Sequence, residues 1–259
     1  MSNPVLERGF GGTQAAATAD AAAAGHDFQT TGSPIVAESM SVGGVSRATG
    51  FMLLVLLAGG LVGWNQVTAT ESPELPVFLL PAILVGFGLA IAGTVKPEWA
   101  RFVGPLYAVV QGYVLGAISR VYELAWSGIV LQAVMATILT TIVMVALYAT
   151  RTIRVTEKLR SVVVGATIAV AVFYLLSFVL SLFGTSVPLV WDSGMFGILF
   201  SVAVVALAAF NLLLDFDLIE RGVAARAPAS YDWFAALGIM ITLVWLYLEI
   251  LRLLSKLRD

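Results

Sequence analysis

Residues 196–217 read Phe196-Gly-Ile-Leu-Phe-Ser-Val-Ala-Val-Val-Ala-Leu-Ala-Ala-Phe-Asn-Leu-Leu-Leu-Asp-Phe-Asp217, an apolar run closed by two aspartates, Asp215 and Asp217. A helix of about 20 apolar residues crosses the hydrocarbon of a bilayer, and this run has that length. Acids at the edge of hydrocarbon are costly to hold ionised, so each such acid is a functional candidate. The stretch therefore proposes both a fold, transmembrane helices, and a place to look for chemistry.

The rest of the 259-residue chain agrees. It is 59 % hydrophobic and 12 % charged, with a mean hydropathy of +0.96, well beyond an ordinary soluble domain. A net charge of -2 gives no nucleic-acid signature, the lack of cysteine removes disulfides and thiolate sites, and a single histidine, His26, leaves little scope for histidine metal centres. No Gly-x-Ser-x-Gly elbow or His-Glu-x-x-His motif occurs, and no span centre carries an acid. The expectation is an all-α polytopic bundle that is not an enzyme, needs no cofactor and has the lipid bilayer as its first partner.

Residues 1–45, rich in Ala, Gly, Ser and Thr, show no apolar period and read as a flexible cytoplasmic tail in which His26 is a solvated bystander. Residues 46–259 read as a membrane domain with seven spans, near 48–66, 76–95, 102–120, 127–150, 159–183, 194–216 and 232–254. Lys96, Arg101, Arg151, Arg154, Lys158, Arg160, Arg221 and Arg226 all fall in loops on one side, whereas the opposite loops hold Arg120 with Glu71, Glu74 and Asp192. Basic loops stay cytoplasmic, which puts the N-terminus inside. Trp64, Trp99, Trp126, Trp191 and Trp233 fall near span ends as an interfacial belt. Arg252, Lys256 and Arg258 cut across this pattern: either a seventh full span, Trp233 to Leu254, carries them to the far side, or the last segment dips and returns. Gly59-Gly-Leu-Val-Gly63 and Gly112-Tyr-Val-Leu-Gly116 are small-xxx-small patterns suited to close helix contact within the chain.

Polar groups at membrane depth are few: Gln111, Gln132, Asn211, Thr140, Thr141, Thr167, Thr242, the two aspartates and Glu249. Asn211 and Asp215, four apart, share one helix face, while Asp217 points elsewhere; the plainer alternative is that both aspartates mark the cytoplasmic water line, partnered by Arg221. Glu123 is expected to pair with Arg120.

Three stretches carry a family likeness: Pro105-Leu-Tyr-Ala-Val-Val-Gln-Gly-Tyr-Val-Leu-Gly-Ala-Ile-Ser in span three, Leu214-Asp-Phe-Asp-Leu-Ile at the end of span six, and Trp245-Leu-Tyr-Leu-Glu-Ile-Leu-Arg-Leu-Leu in span seven. In order and spacing the chain resembles the Bax inhibitor-1 (YccA-like) family over residues 48–259, and its tail is similar to that of bacterial members with a long leader. The resemblance implies a seven-helix bundle with a central last helix, in a bacterial plasma membrane. It also implies a pH-sensitive calcium leak controlled by two aspartates, one of which Asp215 matches. A further implication is a non-conducting alternative, in which the protein regulates another membrane protein such as a protease.

The second aspartate is harder to find. Glu249 imitates the family's Leu-Tyr-Leu-Asp, but it lies roughly 25 Å along a helix that starts near residue 232, close to the opposite face. A partner at the depth of Asp215 falls at 235–242, where Thr242 is the in-span polar group. Matching the family's terminal Leu-Asp-Ile-Leu-Arg to Leu248-Glu-Ile-Leu-Arg also brings Thr242 to the second aspartate's place. Asp217 and Asp232 remain as substitutes, Gln111 stands where relatives often carry Glu, and the metal is left open. The candidates for an ion pathway or pH sensor are thus Asp215, Asp217, Asn211, Gln111 and Thr242, with Glu249 behind them.

Overall fold

The computed structural model describes residues 39–68, 75–184 and 193–258. Seven α-helices account for nearly all of them: α1 Val42–Gln66, α2 Leu79–Val95, α3 Ala100–Ala125, α4 Ile129–Ala149, α5 Glu157–Leu182, α6 Met195–Ala224 and α7 Ser230–Lys256. A short 3-10 turn, Pro97–Trp99, joins α2 to α3. Six helices are long and apolar enough to cross a membrane, and α2, at 17 residues, is at the short limit for a span. The protein is an all-α polytopic bundle.

α7 sits at its centre, packed against α1, α2, α3, α4 and α6. The most apolar window of α7 is 61 % buried inside the protein, against 6 % for α5. α5 thus lies at the periphery with most of its apolar surface left for lipid. Side chains that fill the centre include Leu237, Met240, Leu246 and Leu251 of α7 and Leu212 and Leu213 of α6, all nearly inaccessible.

The glycine pairs of the sequence meet each other. A Cβ on Gly63 would stand 2.0 Å from the Tyr113 carbonyl oxygen, and one on Gly116 would stand 1.9 Å from that of Gly60. The backbones of α1 and α3 therefore approach as only glycine permits.

Several boundaries and pairings differ from the sequence reading. α1 begins at Val42, so residues 42–45 are helix and not tail; Ser41 caps it by accepting from the Gly44 N–H at 2.9 Å. α6 continues past both aspartates to Ala224, because the polar residues beyond the apolar run find ion partners and give the helix no reason to stop. Glu123 does not pair with Arg120. Its carboxylate accepts from the N–H groups of Gly128 (2.6 Å) and Val130 (3.1 Å), closing the turn into α4, while the Arg120 guanidinium stacks 5.1 Å from the Trp64 ring. Backbone donors at a helix start are the better-placed partners for an acid in that turn.

α7 is unbroken to Lys256. The end where α6 turns into α7 is here the near end, and the end where α7 finishes is the far end. At the far end the basic cluster is absorbed by acceptors: Lys256 Nζ donates to the Gly197 carbonyl at 3.0 Å, and Arg258 donates to the Ser127 carbonyl and Gln132 Oε1. Residues 1–38, Glu71, Glu74, Trp191 and Asp192 lie outside the described residues.

Candidate functional site

The seam between α6 and α7 is where the sequence candidates can be compared. Asp215 projects from α6 toward α7, where a Cβ on Gly238 would stand 3.5 Å from its Oδ1. That is ordinary van der Waals distance, so the carboxyl lies close against the α7 backbone without needing glycine there. Thr242, one turn further along α7 and 7 % exposed, sets its hydroxyl beside the carboxyl. The other oxygen, Oδ2, is closed off from solvent and has no partner. A buried polar atom left unpaired costs about 1–3 kcal/mol, so this carboxyl is not placed for stability.

The remaining candidates are engaged elsewhere. Asn211 Nδ2 donates to Thr167 Oγ1 on α5 and to the Leu207 carbonyl, both at 2.9 Å. It ties α5 to α6 and does not meet Asp215, although the two share a helix face. Asp217 makes ion pairs with Arg160 of α5 and, at 2.9 Å, with Arg221 one turn along α6. Gln111 turns its Oε1 toward Gly86 of α2. Asp232 is committed to the start of α1, accepting from the Ser41 N–H at 2.9 Å with its other oxygen against Gly44, so it is no partner for Asp215. The helix N-terminus attracts this anion.

Glu249 lies toward the far end, at the depth that its place on α7 implies and away from Asp215, and its side chain is only 2 % exposed. Arg252 Nη1 donates to both of its oxygens (3.0 and 3.1 Å), Trp245 Nε1 to Oε1 (3.2 Å) and the Tyr174 hydroxyl to Oε2 (3.1 Å). Arg252 Nη1 also donates to the Tyr174 hydroxyl at 2.7 Å. Arg252 and Trp245 stand three and four residues from Glu249, so spacing on one helix face was the available signal. Tyr174 comes from another helix and left no such trace, and Gly238 was equally silent.

At the near end a cleft of about 350 Å³ opens beside Asp217, lined also by Tyr148, Arg151, Glu220 and Arg221. Tyr148 donates to Glu220, and Arg151 pairs with the same acid at 3.4 Å. Among the described residues no group of three or more acids and histidines could hold a metal ion. The seam thus carries one underbonded carboxyl toward its near end, Asp215, and one fully bonded carboxylate toward its far end, Glu249.

No curated protein matches the chain in sequence. A family model described as Bax inhibitor 1 like matches residues 3–259. With an all-α bundle of membrane-spanning length around a central last helix, that match covers almost the whole chain, and the protein belongs to the Bax inhibitor-1 family of integral membrane proteins.

Proposed function

We propose that this protein is a cation leak, with calcium as its first candidate ion, and that Asp215 is the plug at the cytoplasmic mouth of a path along the α6–α7 seam. The single observation carrying the reading is the Asp215 carboxyl, whose sealed Oδ2 lacks a partner beside Gly238 and Thr242. Such an arrangement wastes binding capacity in the closed form and can repay it when water or a cation arrives. A hard cation is liganded by oxygen, which carboxyl and hydroxyl supply. Ionisation makes burial of the carboxyl more costly, so rising pH would favour an opened, hydrated seam.

The basic residues of the near-end loops support a cytoplasmic near end and N-terminus, and a bacterial plasma membrane is the proposed setting. The role is non-enzymatic. The test is calcium flux into liposomes holding wild-type protein or Asp215→Asn. Flux that rises with pH in the wild type and loses that dependence in the variant supports the reading; no flux from either at any pH sinks it.

One observation favours a second reading. Thr242 faces Asp215 where a second carboxylate would complete a proton-sharing pair. A lone acid is a weaker pH sensor, which suits a non-conducting regulator that binds another membrane protein such as a protease. That role predicts co-purification with such a partner, unchanged by Asp215→Asn.

A further inference from the structure

The Glu249 cluster is a buried charged group that the reading above leaves unused. Three features set it apart from an ion pair that merely holds helices together. The first is asymmetry: the Glu249 side chain is 2 % exposed, whereas that of Arg252 is 22 % exposed. The arginine side chain keeps some open surface, although its Nε is sealed, and the carboxylate keeps almost none.

The second is an unspent oxygen. Gly197, Ser201, Val204 and Ala208 form one buried stripe along α6, and the Gly197 carbonyl takes Lys256 of α7. Helices of opposite direction bring Ser201, one turn deeper on α6, level with the Arg252 turn of α7. Phe200, its neighbour, meets the Tyr174 ring edge-on at 6.3 Å. The Ser201 hydroxyl is sealed from solvent and has no partner.

The third is position. Glu249 lies on α7 beyond Thr242, and between the two stations the seam is dry, with Ala208, Leu212 and Leu246 fully inaccessible.

We propose that Glu249 is a second cation site of this protein, filled in the closed form by the guanidinium of Arg252 acting as a tethered cation. When Arg252 swings toward the far end, the Glu249 carboxylate and the hydroxyls of Tyr174 and Ser201 become available as oxygen ligands to a divalent cation. One carboxylate and two hydroxyls make a weak site, as passage requires, since an ion must leave as well as enter. The inference rests on the cation-leak reading and deepens it, by assigning a far-end site and its occupant.

The experiment uses the full chain. Calcium flux into liposomes of phosphatidylcholine and phosphatidylglycerol is measured for wild type, Asp215→Asn, Arg252→Gln, Arg252→Lys and the double variant Glu249→Gln/Arg252→Gln. In parallel, the melting temperature of each protein in detergent is followed against added calcium chloride. Arg252→Gln, which removes the tethered cation, and Arg252→Lys, whose more strongly hydrated ammonium leaves the buried site more readily, are expected to raise flux severalfold. Arg252→Gln should also gain a calcium-dependent upward shift in melting temperature that the double variant lacks. Wild-type flux and no calcium shift in Arg252→Gln overturn the inference, and if Asp215→Asn still alters flux the leak reading survives that result. Should no protein conduct, the leak reading falls, and the calcium shift alone decides the site: its presence supports it and its absence overturns it. Should Arg252→Gln fail to fold, unchanged flux in Arg252→Lys overturns it.

Discussion

Asp215 and Glu249 occupy the same central seam, and the protein treats them in opposite ways. Glu249 is saturated: a guanidinium, an indole N–H and a phenol converge on its two oxygens. Asp215 is starved: it has a threonine hydroxyl beside it and one sealed oxygen without a partner. Burying charge is tolerable when it is paired and hydrogen-bonded, and expensive otherwise. The Glu249 station therefore contributes to holding α5 and α7 together, while the Asp215 station stores free energy at a helix contact. A group kept at a cost is the better candidate for a moving part.

The contrast yields expected outcomes of decreasing size. Arg252→Gln leaves Glu249 buried beside neutral donors and should destabilise the folded protein by about 3–5 kcal/mol, read by denaturant titration in detergent; a change under 1 kcal/mol would mean that water already reaches the pair. Asp215→Leu removes the starved carboxyl in favour of an apolar group of similar shape and should stabilise by about 1–3 kcal/mol. A loss of stability in that variant would show the carboxyl to be better satisfied than its geometry indicates. Thr242→Val deletes the hydroxyl beside Asp215 and should cost about 0.5–1.5 kcal/mol, a penalty that vanishes when it is measured in the Asp215→Leu background. Gly238→Ala is the mildest. Its new Cβ would meet Asp215 Oδ1 at an ordinary 3.5 Å, so the gain in helix propensity, up to about 1 kcal/mol, should appear as a small rise in melting temperature.

Much of this was legible before any coordinates. Apolar run length placed all seven helices, and counting residues along two antiparallel helices put Thr242 at the depth of Asp215. The place of Arg221 at the water line indicates a partner for the aspartates, realised at Asp217, and the small-residue spacing of Gly59, Gly63, Gly112 and Gly116 indicates close helix contact within the chain, realised between α1 and α3. Each of these depends only on helix geometry, which repeats regardless of neighbours. The misses share a different cause. Glu123 and Asp232 were weighed as carboxylates seeking other side chains, and both instead serve backbone N–H groups at the starts of α4 and α1.

Composition and periodicity were thus sufficient for an all-α membrane bundle, because hydrocarbon thickness and helical rise act on every residue alike, and three motif stretches in order carried the family likeness. They could not say which groups on neighbouring helices would meet. Whether a carboxyl is saturated, as Glu249 is by Tyr174 from α5, or left with an unpaired oxygen, as Asp215 is against Gly238, depends on how separate helices rotate about their axes when they pack. That rotation is set by shape complementarity along whole helix faces, including glycine contacts far from either acid, and no local pattern in the chain encodes it.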